Sequence, residues 1–121
     1  MTKLRISEPI PTQNVTDREH WAKRRKRKAV FKEQLVLEIL TNFNGEERKI
    51  IRSGRKGLKI NIHSQRRRRI EDDANLVGGC KAFVDVLTEL GIIYDDADKY
   101  VGITYSQATG KPYYTEVTIG I

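Results

Sequence analysis

The chain has 121 residues, of which 38% are hydrophobic and 32% are charged, and it contains a single cysteine. This length suits one compact domain with a small core, which excludes a two-domain organisation. A lone cysteine excludes an internal disulfide, and no apolar run is long enough to cross a membrane, so we expect a cytoplasmic protein with no membrane role. The net charge of +7 indicates a polyanionic partner.

The N-terminal segment is predicted to contain little regular structure. Lys3–Ile6 is expected to form a short strand. Pro9 and Pro11 fix the backbone and remove two amide donors, so an extended loop is expected over residues 8–15. Residues 1–15 as a whole are therefore expected to be extended or flexible.

A long basic helix is predicted to follow this segment. Thr16 and Glu19 have the spacing of a capping box, which predicts a helix that begins at Thr16 and runs to about Thr41. Apolar residues four positions apart give this helix a buried stripe, formed by Phe31, Leu35 and Ile39.

The middle of the chain predicts two strands and a second helix. Ile50–Ile51 and Leu58–His63 are interpreted as strands, the second because apolar and polar residues alternate along it. From Leu76 the period returns to that of a helix, and Gly91 suits the position that terminates it.

The end of the chain predicts two more strands. Tyr100–Gln107 and Tyr113–Ile119 are expected to be joined through residues 108–111 as a C-terminal β-hairpin. The elements together predict one α/β (α+β) domain, in which two main helices pack on a mixed β-sheet.

Two runs of basic residues dominate the charge pattern. Lys23–Lys28 places six positive charges on less than two helical turns, and Arg66–Arg69 follows the predicted second strand. A solvated helix face is the alternative interpretation, but runs of one sign are typical of nucleic-acid binders, and arginine bonds phosphate through two nitrogens. Trp21 is interpreted as a packing residue. No aromatic residues are interleaved with the arginine run, which favours contacts to the DNA backbone over base readout.

Two acidic clusters flank the second helix, at Glu71–Asp73 and Asp95–Asp96. Carboxylates gathered in a positive field are what a hydrated Mg²⁺ needs, although acidic pairs are also common in turns. Lys81 either forms a surface ion pair with Asp85 or stabilises charge on a scissile phosphate. The two histidines, His20 and His63, show no metal-ligand spacing.

The order and spacing of these residues resemble the RusA family of Holliday junction resolvases. The matching pattern consists of the arginine run Arg66–Arg69, then Asp72-Asp73-Ala74-Asn75-Leu76, Lys81, Asp85-Val86-Leu87, Gly91 and Asp95-Asp96-Ala97. Residues 11–14 and 20–24 are similar to the N-terminal loop and basic helix of phage-type members. The resemblance covers most of the chain and is strongest over residues 66–97.

The resemblance implies that residues 1–121 form a single nuclease domain of a bacterial or phage-infected cell. It implies a homodimer that uses Mg²⁺, with Mn²⁺ as a substitute, to nick two strands of a four-way DNA junction in recombination and repair. Asp72 and Asp96 match catalytic carboxylates, Lys81 matches the catalytic lysine, and Asp95 joins the two aspartates as a metal ligand. The expected DNA contacts are Asn14, Lys23, Arg24, Arg25, Arg27, Arg66, Arg67, Arg68, Arg69 and Asn75.

One position departs from the family pattern. Ala74 stands where the family has its second aspartate, so a metal site there loses one oxygen ligand and one negative charge. Two explanations stay open, an engineered substitution that disables cleavage and a natural relative with weakened catalysis. A shifted alignment that uses Asp73 would break the spacing to Asn75. The alternative function is a non-catalytic DNA-binding module or phage regulator with a RusA-like fold.

Overall fold

The computed structural model describes residues 2–18 and 20–120, without the side chains of Thr16 and Asp17. None of the described helices is long and apolar enough to cross a membrane. The elements, in chain order, are β1 (Thr2–Ile6), α1 (Gln13–Arg18), α2 (Trp21–Asn42), α3 (Gly45–Ile51), β2 (Leu58–Arg66), α4 (Asp73–Gly79), α5 (Lys81–Glu89), β3 (Val101–Thr109) and β4 (Tyr114–Gly120).

The strands form one mixed sheet in the order β1-β4-β2-β3. β2 runs parallel to β3, with Leu58 opposite Val101, and antiparallel to β4, with Ile60 opposite Ile119. Both C-terminal strands lie where the sequence predicts them, but they do not pair as a hairpin because β2 lies between them. A parallel β2–β3 pair needs a crossover connection, which α4 and α5 provide. The predicted α+β class with a mixed sheet is confirmed.

The core lies between one face of the sheet and the helices. Alternating residues of β2 are buried, from Leu58 to Ser64, as expected for a strand with one face on the core. The predicted apolar stripe of α2 is confirmed, since Phe31 is fully buried and its ring meets that of Phe83 on α5 edge-on at 5.6 Å. The aromatic pair joins the two longest helices over the sheet.

The single long helix predicted from Thr16 is wrong at its beginning. Two helices, α1 and α2, occupy this region, and at His20 the backbone is extended with a ψ of 147°. The His20 Nδ1 atom accepts a hydrogen bond from the Ala22 amide at 3.2 Å, so this histidine caps α2. The predicted capping box depends on Glu19, which lies outside the described residues.

Three other predicted boundaries need correction. The loop predicted over residues 8–15 becomes helical at Gln13, and the helix predicted from Leu76 is divided into α4 and α5 at Cys80. Ile50–Ile51 is not a strand but the end of α3. The Asn44 side chain accepts from the Glu47 amide while the Glu47 carboxylate accepts from the Asn44 amide, both at 2.9 Å, and this capping box starts a helix there.

Candidate nucleic-acid interface

A basic groove of about 550 Å³ runs between the first turns of α2 and the α4–α5 pair. Five of its lining residues are cationic and one is acidic, which makes it suited to a polyanion. The sequence predicted the basic helix and Lys81 separately, and the structure brings them into one groove. Its lining residues are Gln13, Arg24, Arg25, Arg27, Lys28, Gly78, Gly79, Lys81, Ala82 and Asp85.

The groove keeps its shape because α5 is tied to α2 beside it. Lys28 Nζ lies 2.6 Å from one carboxylate oxygen of Glu89, and Lys32 Nζ lies 4.0 Å from the other. The hydrogen bond from Lys28 lowers the pKa of Glu89, and the same bond raises the pKa of Lys28. Part of the positive charge of α2 is therefore neutralised by Glu89.

Two glycines bring the N-terminal segment against α4. A Cβ atom on Gly79 would lie 1.8 Å from the Pro11 carbonyl oxygen, and one on Gly78 would lie 2.4 Å from the Gln13 Oε1 atom. At Gly79, where the neighbouring atom belongs to the backbone, only a residue without a side chain allows this approach. The exposed Asn14, which is a predicted DNA contact on α1, is thereby held next to the helix that begins after Asp72.

The acidic cluster at residues 72–73 forms the beginning of α4. Asp72 is the N-cap, and its Oδ1 atom accepts a hydrogen bond from the Ala74 amide at 2.8 Å. Asp72, Asp73 and Ala74 are exposed, whereas Asn75 is half-buried. The carboxylate of Asp72 therefore already has a structural role at the positive end of a helix.

The arginine run divides into one anchored residue and three exposed ones. The Arg66 guanidinium donates to the Ile10 carbonyl oxygen and to the Ser64 Oγ atom, and burial lowers its pKa. Ile70 closes the turn, because the Gln107 side-chain amide donates to its carbonyl oxygen and accepts from its amide, both at 2.8 Å. Arg66, predicted to contact DNA, thus holds the N-terminal loop, and Arg67–Arg69 are left exposed between two fixed points.

Asp95 and Asp96 lie in the segment between α5 and β3. The Asp95 Oδ1 atom accepts from the Ala97 amide at 3.0 Å, and this bond, together with a hydrogen bond to Asp96, lowers the pKa of Asp95. Burial raises the pKa of Tyr105 on β3, and the nearby Cys80 and Asp96 raise it further.

The predicted metal ligands do not form a ready metal site. Across residues 2–18 and 20–120, no three His, Cys, Asp or Glu side chains are gathered closely enough to hold a metal ion. Asp72, Asp95 and Asp96 therefore do not meet as a ligand set, and Ala74 supplies no oxygen. Magnesium ions prefer six oxygen ligands, of which one or two carboxylates supply a part and water and substrate phosphates the rest.

Trp21 is a surface residue that the sequence interpretation missed. It is the first residue of α2 and 60% exposed, so the prediction that it packs is wrong. The buried residues of α2 begin only at Phe31, so the first turns of the helix extend beyond the core. That distance along the helix from the apolar stripe was the available signal.

His63 lies on the polar face of the sheet, opposite the core, and its ring is hydrogen-bonded to Ser106 and Gln65.

A scan against models of known protein families and a search of curated proteins find no match to this chain. The functional argument therefore depends on the residues and their arrangement.

Proposed function

We propose that this protein binds branched DNA through the basic groove and is a RusA-like junction endonuclease whose catalytic centre is incomplete at Ala74. Symmetric cleavage of a four-way junction would require a homodimer. The observation that carries the proposal is the convergence of the α2 cations and Lys81 on one groove. The sequence resemblance to RusA resolvases supplies the reaction, and the groove supplies a binding surface with the matching charge.

The groove suits a phosphate backbone in both charge and shape. Arginine side chains bond phosphate oxygens in pairs, and each neutralised phosphate releases a counterion, so binding would weaken steeply as salt rises. Arg67–Arg69 add an exposed cationic turn immediately before α4. We assign the groove and this turn to backbone contacts, which position DNA without reading its sequence.

Lys81 is the residue on which the proposed chemistry depends most directly. It is exposed at the first turn of α5 and lines the groove, so its ammonium group can reach a phosphate bound there. In phosphodiester cleavage such a cation stabilises the negative charge that develops on the phosphate oxygens. No three potential metal ligands converge among the described residues, so no metal-dependent step is assigned to Asp72 and Asp96 while alanine occupies position 74.

A non-catalytic DNA-binding module is the second candidate function. Two observations favour it: Ala74 lacks an oxygen, and the described residues include no group of three potential metal ligands. The presence of Asp72, Lys81 and the Asp95–Asp96 pair favours the nuclease. The two candidates share the groove and differ only in the chemistry.

The test compares the unaltered chain with its Ala74→Asp variant on a labelled four-way DNA junction, in Mg²⁺ and in chelator. The nuclease proposal expects both proteins to bind and the variant to nick at least tenfold faster, in Mg²⁺ only. The double variant Ala74→Asp, Lys81→Met is the matched control, and it should bind but not nick. If neither protein nicks while both bind, the binding module is correct. If neither binds, the groove has another ligand.

A further inference from the structure

The indole of Trp21 is held in place, although it is exposed. It stands on the first residue of α2, and His20, which caps that helix, lies with its ring 5.3 Å from the indole. The Arg25 guanidinium lies 4.7 Å from the indole ring centre, one turn further along the helix. A cation–π contact of this kind restrains the orientation of the side chain, and 60% of Trp21 is still exposed to solvent.

The same arginine connects the indole to the basic groove. Arg25 contacts Trp21 and also lines the groove. An aromatic ring therefore stands at the edge of a surface suited to phosphates. Proteins that hold single-stranded nucleic acid combine these two features, a cationic track for the backbone and an aromatic face for the bases.

We propose that Trp21 is a stacking platform for an unpaired DNA base whose flanking phosphates lie in the basic groove. A base inside an intact duplex already stacks on its neighbours and cannot offer its face, whereas a base at a branch point or bulge can. Trp21 therefore gives the protein a preference for DNA with an opened stack. This inference rests on the DNA-binding part of the proposed function and does not require catalysis.

The chain offers a direct probe, because Trp21 is its only tryptophan. Intrinsic fluorescence is followed while the protein is titrated with a duplex or with the same duplex carrying a short run of unpaired thymines. Stacking predicts strong quenching by the bulged DNA and little by the intact duplex.

Affinities of three variants are then compared on both DNAs by anisotropy. Stacking on one base contributes about 1–3 kcal/mol, so Trp21→Ala is expected to weaken binding of bulged DNA by about 5- to 150-fold. Its affinity for intact duplex is expected to stay within about twofold. Trp21→Phe retains an aromatic face and should recover most of the loss. Tyr113→Ala is the matched control, since it removes another exposed aromatic residue, and it should bind both DNAs as the unaltered chain does.

Each contrary result has a separate meaning. If Trp21→Ala binds bulged DNA as tightly as the unaltered chain, the stacking inference is refuted, but the assignment of the groove to DNA binding is not. An equal loss on both DNAs also refutes it, because it assigns Trp21 no preference for unpaired bases. If the unaltered chain binds neither DNA, both the stacking inference and the proposed function are refuted. Unchanged thermal unfolding of the variants excludes a loss of folding as the cause.

Discussion

Gly79→Ala is expected to be the most disruptive single methyl addition in the described structure. The new Cβ atom would lie 1.8 Å from the Pro11 carbonyl oxygen and 2.9 Å from its carbon. Real contacts of this kind stay at or above 3.0 Å, so the two backbones must separate by about 1.2 Å, which is 3.0 minus 1.8. Both atoms belong to the backbone, so no side-chain rotation can relieve the clash.

The size of the effect follows from two opposing contributions. Forcing extra atoms into a packed contact costs about 1–3 kcal/mol, and the rigidity of the backbone places Gly79 at the upper end. Alanine regains up to about 1 kcal/mol through its higher helix propensity. The net loss in the free energy of unfolding is about 2 kcal/mol. At about 2.1 cal/mol/K of unfolding entropy per residue, this corresponds to a melting temperature lowered by about 8 °C.

Urea unfolding followed by circular dichroism measures this loss, with two glycine controls. Gly45→Ala meets no atom within 4 Å and is expected to leave stability unchanged or slightly raised. Gly78→Ala meets only the Gln13 side chain, which can rotate away, so it is expected to cost less than Gly79→Ala. If Gly79→Ala unfolds within about 0.5 kcal/mol of Gly45→Ala, the close approach of the N-terminal segment to α4 is refuted.

Three further predictions concern charged and reactive groups. Arg66→Ala is expected to lower the free energy of unfolding by about 1–3 kcal/mol, because it leaves the Ile10 carbonyl oxygen and the Ser64 hydroxyl without their donor. Arg67→Ala is the control, and it should change the free energy of unfolding by less than about 0.5 kcal/mol in the same urea assay. The hydrogen bond from Lys28 lowers the pKa of Glu89, so this pair stabilises the fold above the ordinary glutamate pKa and loses its effect as pH falls through the lowered pKa; Glu89→Gln should cost less than about 1 kcal/mol at pH 7 and progressively less as pH falls below the ordinary glutamate pKa. Burial raises the pKa of Cys80 to about 12, so a thiol reagent at pH 8 should label it slowly in the native protein and rapidly in urea, and fast native labelling would contradict its burial.

The elements that the sequence predicted well are those whose signal is local and periodic. The alternation in β2 and the four-residue spacing from Phe31 depend on a repeat that the chain itself carries, and both are confirmed. The strand predicted at Ile50–Ile51 failed because two β-branched residues were weighed above a local cap. Asn44 and Glu47 have capping-box spacing, and this signal was readable.

Strand partners could not be read in the same way. β3 and β4 are consecutive and joined by a short connection, which favours a hairpin, yet β2 takes both of them as neighbours. Adjacency in a sheet depends on which apolar faces are buried together across the whole domain. The crossover through α4 and α5 makes β3 pair with β2, and the sequence of one strand alone does not predict this pairing.

In the candidate site, too, the sequence predicts individual residues but not their arrangement in the fold. The sequence supplied the cations of α2 and Lys81, but only packing of α2 against α5 shows that they share a groove. Arg66 and Arg67 are adjacent and chemically identical, yet one is turned inward to the Ile10 carbonyl oxygen and the other is exposed. Trp21 was interpreted as a packing residue because its distance along α2 from the apolar stripe was not taken into account.

In the proposed nuclease the residue at position 74 completes the catalytic centre, and the structure shows that the fold does not require alanine there. Its methyl group is exposed, and the contact that matters at this residue is made by its backbone amide to Asp72, which any residue other than proline can make. A carboxylate at this position would gain about 0.3–1 kcal/mol from the positive end of α4, while repulsion from Asp72 and Asp73 would oppose it by a similar amount. Stability is therefore nearly indifferent to the choice between alanine and aspartate, and a difference in nicking between the two chains reports on chemistry rather than on folding.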